Sequence, residues 1–146
     1  MKLKNFCWAL IIFLATAQAS WSMLHTFGPF KAEIPLGWTG ELQGSTLVIK
    51  SKEADASVTV ASNTMGQVSL GEIAEVLCLQ VDGRDLEQDD DGDYTFNFID
   101  SSGEESIALV TGDEEFYLVV AMTGYENENL QGDFEKILAS IDWNFN

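Results

Sequence analysis

Hydrophobic and polar positions alternate, or recur at helical spacing, in a definite order along this chain. Phe30, Ala32 and Ile34 alternate with Lys31 and Glu33, the two-residue period of a half-buried strand. Pro29 and Pro35 bracket that run, as suits a strand end or edge. Pro35-Leu36-Gly37-Trp38 then turns the chain at Gly37. Residues 45–51 (STLVIKS) and 56–62 (ASVTVAS) predict two more strands, with Leu47 and Ile49, and Val58 and Val60, as the inward positions and a hairpin loop between.

The period then changes. Leu70, Ile73, Ala74, Leu77 and Val81 recur on one helical face. Ser69 and Glu72 form an S-x-x-E capping box in front of it, in which each side chain satisfies a backbone N–H that the helix start leaves unpaired. Gly83 is the expected stop. Three strands follow. Tyr94, Phe96 and Phe98 alternate with Thr95 and Asn97; residues 105–112 come next; residues 116–122 are almost continuously apolar, which predicts a central strand covered on both faces. Leu130, Phe134, Ile137, Leu138 and Ile141 mark a closing helix, expected to begin near Asp133 because Gly132 weakens its start. Short loops imply antiparallel pairing, and each one-sided helix must bury its stripe on a sheet. The expectation is an α+β domain: an antiparallel sheet of about six strands flanked by helices.

The segment before this pattern has another layout. Lys2 and Lys4 precede an apolar run from Phe6 to Ala17, and Ala17-Gln18-Ala19 is a small-x-small site. That layout predicts a secretory signal peptide over residues 1–19, cut between Ala19 and Ser20; a membrane-spanning helix needs about 20 apolar residues. A single domain over residues 20–146 is then expected in the periplasm or the medium, with no membrane insertion after the leader is removed. Ser20–Thr26 reads as a short lead-in carrying Trp21 and His25.

Order, spacing and motif together resemble the PsbP-like fold. The resemblance runs from about residue 26 to 143 and rests on the opening strand into Pro35-Leu36-Gly37-Trp38, the helix from Ser69, the YTFNF strand, the run from Phe116 and the closing helix. It implies an antiparallel sheet sandwiched by helices. It also implies a role in binding other proteins without catalysis, since relatives include photosystem II extrinsic subunits, a nuclear import factor that binds a small GTPase, and bacterial envelope proteins. No catalytic motif belongs to the fold, so no residue role is carried over.

Charge narrows the partners. The whole chain carries −17. Loss of Lys2 and Lys4 leaves five basic side chains against 24 acidic ones, a balance of −19. Such a surface repels nucleic acid and anionic lipid and favours cations or a basic partner; solubility alone is the plainer account of it. Removal of the leader also takes Cys7 and leaves Cys78 alone, so no internal disulfide forms, and its place beside the apolar stripe suits a small buried side chain.

One stretch raises the question of a metal. Gln88 to Asp93 reads QDDDGD. With Gly92 at the glycine of a calcium loop, Glu87, Asp89 and Asp91 fall on ligand positions, but the twelfth is Phe98, which cannot ligate. A hairpin turn centred on Asp91-Gly92 explains the same residues. Weak calcium binding by Asp89, Asp91 and Asp93 stays open, because clustered carboxylates repel one another and extracellular modules bind calcium in the range of about 0.1–1 mM. Other chemistry is sparse. His25 is the single histidine, so a nucleophilic triad would have to use it. Zinc would have only Cys78 and His25. Glu104, Glu105 and Glu114 sit at apparent turns. No cofactor is expected. Three readings follow: an exported, non-enzymatic module that contacts another envelope protein or peptide, with Trp21 and Trp38 as contact points unless Trp38 is core; a weak calcium binder; and a hydrolase using an acidic pair.

Overall fold

A computed structural model describes residues 23–143. The leader, its cleavage point at Ala19 and Ser20, and Trp21 lie outside the described residues. The elements in chain order are β1 (Met23–Phe27), β2 (Phe30–Ile34), β3 (Trp38–Gln43), β4 (Thr46–Ser51), β5 (Ser57–Thr64), α1 (Leu70–Gln80), β6 (Arg84–Gln88), β7 (Tyr94–Ile99), β8 (Glu105–Gly112), β9 (Phe116–Thr123), a 3-10 turn (Glu128–Leu130), α2 (Gln131–Ser140) and β10 (Asp142–Trp143).

The expected α+β architecture is present, with more strands arranged in two sheets. Seven strands form one antiparallel sheet in the order β3-β4-β5-β9-β8-β7-β6. The amphipathic opening strand, expected in that sheet, lies instead in a separate three-stranded sheet, β1-β2-β10. The apolar run of β9 is central, between β5 and β8. Its alternate residues Leu118, Val120 and Met122 are buried in the larger core, while Tyr117 packs toward the other one.

The two faces are filled differently. On one face Leu47, Ile49, Val58, Val60, Leu109 and Val120 meet Phe30 and Trp143 of the small sheet and Phe134, Ile137 and Ile141 of the α2 region. On the other, α1 sets Ile73, Ala74 and Cys78 against Phe96, Ala108 and Val110. Each large apolar side chain fully removed from water contributes roughly 1.5–3 kcal/mol, so the first face carries most of the packing energy.

The turn after β2 shows how the sequence links the sheets. The Trp38 N–H donates to the Pro35 carbonyl at 3.1 Å, with Gly37 at φ 85°, the geometry of a turn whose third residue needs a positive φ. Trp38 is thereby delivered into the core, 5% exposed, edge-on to Phe134 at 5.4 Å between ring centres. It is not an exposed contact point. The capping box is formed as expected: the Glu72 N–H donates to Ser69 Oγ at 3.2 Å and the Ser69 N–H to Glu72 Oε2 at 2.8 Å. The helix ends at Gln80 with Val81 as its cap, and the left-handed position falls one residue before the expected glycine. Asp82 takes the left-handed conformation at φ 50°, the Gly83 N–H reaches the Cys78 carbonyl at 2.7 Å and the Asp82 N–H the Leu79 carbonyl at 3.3 Å, which satisfies two carbonyls that the helix end leaves open. Helix α2 begins at Gln131, ahead of the expected Asp133, because the 3-10 turn leads directly into it.

Candidate functional site

The acidic loop is a backbone device first. Asp89 Oδ1 accepts the N–H groups of Asp91 and Asp93, both at 2.9 Å. The Gly92 N–H donates to the Asp89 carbonyl at 3.1 Å, and the Asp89 N–H to the Asp93 carbonyl at 2.9 Å. Gly92 has φ 87° and neither Asp90 nor Asp91 has a positive φ. The turn is therefore centred on Asp90-Asp91 with Gly92 following in the left-handed region, not on Asp91-Gly92 as a two-residue hairpin requires. The next hairpin repeats it. Asp100 Oδ1 accepts the N–H groups of Ser102 and Glu104 at 2.8 and 3.0 Å, and Gly103 has φ 89°. Two loops of different charge thus use one D-x-x-G plan, which accounts for Asp89 without a metal.

Asp91 is exposed and Asp93 half-buried. Burial chiefly raises the Asp93 carboxyl above its ordinary value; the Thr111 hydroxyl opposes this, and the charges of Asp89 and Asp91 add to the rise. Among the described residues, no three Asp, Glu, His or Cys side chains converge in an arrangement able to hold a metal ion. The other candidates are dispersed. His25 is exposed on β1, its ring 6.0 Å from Phe27. Glu105 pairs with Arg84 on the surface. Glu114 is exposed in the turn that Asp113 caps through the N–H groups of Glu115 and Phe116. Cys78 is free and buried.

A groove lies where α1 stops. Helix α1 stands over Phe96 and Ala108, and the register carries that row onward to Ala121 and Thr59. Alanine and threonine leave the row shallow, and α1 ends at the Val81 cap. The result is an open groove of about 380 Å3 with Thr59, Ala121 and Thr123 along its floor, Val81 and Ile99 on its rim and Asp100 at one end. Val81 was expected on the buried helical stripe; it is 40% exposed, and Ile99 48%. Val76 and Leu79, on the outer side of α1, are exposed as well.

A hydroxyl chain fixes the polar end. Ser106 Oγ and Thr123 Oγ1 lie 2.7 Å apart, and Thr123 Oγ1 donates to Asp100 Oδ2 at 3.3 Å. Thr123 has one proton and gives it to the carboxylate, so the buried Ser106 hydroxyl donates to Thr123. The Ser102 hydroxyl, ahead of the Glu104 and Ser102 N–H groups and Thr123, holds the Asp100 carboxyl below its ordinary value against a smaller effect of burial. The groove therefore presents an ionised carboxylate beside hydroxyls and two exposed aliphatic side chains. No titratable cluster marks the groove in the sequence; its signal is the small and hydroxylic residues Ser57, Thr59, Ala121 and Thr123 set among the valines of two central strands.

No family model matches the chain. A search of curated proteins gives no match either. Among solved structures, the chain is similar to the solution structure of cyanobacterial PsbP from Synechocystis sp. PCC 6803, with 15% identity, a TM-score of 0.57 and coverage of 97% of this chain and 99% of that one. A crystal structure from Bacteroides thetaiotaomicron matches at 14% identity and a TM-score of 0.46, over 80% of this chain and 45% of that one. The chain has the PsbP-like fold, in agreement with the resemblance read from its motifs. No described helix is long and apolar enough to cross a membrane.

Proposed function

We propose that this chain is an exported, non-enzymatic accessory module of the cell envelope that docks a segment of another protein in the groove at the end of α1. The leader pattern of residues 1–19 supports export to the periplasm or the medium, and the negative charge disfavours nucleic acid as the partner. The observation that carries the reading is the groove itself, where Val81 and Ile99 stand exposed over a floor of small and hydroxylic side chains. Concave sites that set apolar side chains beside a few fixed polar groups are common places for a ligand or peptide to bind. The test compares the protein with Ala121→Leu, which fills the floor. Co-purification from the envelope should recover a discrete partner with the native chain and lose it with the variant; equal recovery contradicts the groove as the docking site. A second reading, weak calcium binding at Asp89, Asp91 and Asp93, draws on the crowding of these charges: burial chiefly raises the Asp93 carboxyl, and the charges of Asp89 and Asp91 add to that rise.

A further inference from the structure

The groove has a chemical preference that its shape alone does not express. Its polar end is a carboxylate whose loop-side oxygen, Oδ1, is already engaged by Ser102 and Glu104, whereas Oδ2 accepts one long bond from Thr123. An ionised carboxylate oxygen accepts more than one hydrogen bond, so Oδ2 retains capacity. Asp100 makes no ion pair with a described residue. Two basic side chains approach this end: Arg84, held on Glu105, whose register partner is Ile99, and Lys50, paired with Ser57, which in turn pairs with Thr123. Two strand spacings, roughly 10 Å, therefore separate the Lys50 and Thr123 positions.

Resting on the docking reading above, we propose that the segment received by the groove presents a lysine or arginine side chain to Asp100, with aliphatic neighbours on Val81 and Ile99. The cation's N–H groups meet Asp100 Oδ2. Its methylene stem lies along the apolar rim, as long basic side chains do beside aliphatic surface. The charge of the whole chain draws in such a segment and repels an acidic one. A second copy of this chain fits poorly, since it carries the same negative charge.

The experiment uses the isotope-labelled protein recovered after export, titrated with the peptide acetyl-Ser-Leu-Lys-Leu-Ser-amide and its glutamine and glutamate counterparts. The lysine peptide should shift the amide signals of Val81, Ile99, Asp100 and Thr123. It should bind about two- to fivefold more tightly than the glutamine peptide, the range of an exposed charge pair, and the glutamate peptide should bind least. Asp100→Asn keeps the Oδ1 acceptor for the loop and should abolish the preference for lysine. Ser101→Lys, at an exposed loop position beside Asp100, should do the same without touching the carboxylate. Equal binding of the lysine and glutamine peptides at these signals overturns the cation preference and leaves the docking reading standing. A lysine preference that persists in both variants also overturns the assignment to Asp100. If no peptide moves these signals, both fall.

Discussion

Trp38 Nε1 donates a 2.9 Å hydrogen bond to Asp133 Oδ2 across 95 residues of chain. This bond joins the start of β3 to the first turn of α2, and Trp38 is 5% exposed. Asp133→Ala leaves a buried indole N–H without its acceptor, which costs about 1–3 kcal/mol. Asp133→Asn, with one acceptor oxygen retained, should cost less. Urea unfolding of the two variants measures the difference, and equal midpoints contradict the role given to this bond.

Gly83 is a packing requirement at the end of α1. A Cβ added there would lie 2.7 Å from Cys78 Sγ and 3.0 Å from both the Cys78 carbonyl oxygen and Phe96 Cδ2. Gly83→Ala should therefore destabilise by about 1–3 kcal/mol, the usual cost of overpacking. Because α1 flanks the groove, its amide signals should shift at Val81 and Ile99 as well. Denaturant unfolding with spectral mapping checks both points.

Much of this could be read in the sequence, for definite reasons. The helix from Leu70 and the central place of β9 were readable because the capping box and an unbroken apolar run are local signals with one strong physical explanation each. The small sheet was not. Met23 and Leu24 on β1 are exposed, and β10 is two residues long, so neither shows a strand period; their pairing with β2 comes from tertiary placement. Strand β3 was hidden because only its first residue, Trp38, is buried. The acidic loop was visible as a turn, but its centre was misplaced by one residue, since Asp91-Gly92 and the D-x-x-G plan share the same letters. The groove was invisible because it arises from what is small at Ala121 and Thr59 and from where α1 ends.

The D-x-x-G loops separate capping from metal binding. Asp89→Ala removes two hydrogen bonds to the loop backbone and should cost on the order of 1–2 kcal/mol, whereas Asp90→Ala, whose side chain is exposed, should be near neutral. Calorimetry with calcium up to about 1 mM, the upper part of the extracellular range, should show no saturable heat in the native protein. A saturable signal lost in Asp93→Asn supports the calcium reading instead.

The pH dependence follows from opposite shifts. Asp93 is raised, chiefly by burial, so its ionisation disfavours the fold as pH climbs through its folded value, and the penalty persists at neutrality. Asp93→Asn should be more stable than the native chain at neutral pH, with the gap closing as pH falls below the ordinary value of 3.8. Asp100, held down first by the Ser102 hydroxyl, and Asp113, held down first by the Phe116 N–H, are lowered. They stabilise the fold above the ordinary carboxylate value and lose that contribution as pH falls through their folded values. Urea midpoints from neutral to acid pH for both chains give the comparison; a gap that widens toward acid contradicts it.

The docking account is tested most directly by a photo-crosslinking residue placed at Thr59, on the groove floor, and in a separate protein at Glu114, in the exposed β8–β9 turn. With each protein expressed and exported in cells, irradiation should give one discrete protein adduct from position 59 and none from position 114, and Ala121→Leu should remove the adduct. No adduct from position 59, or the same adduct from both positions, would contradict a partner seated beside the end of α1.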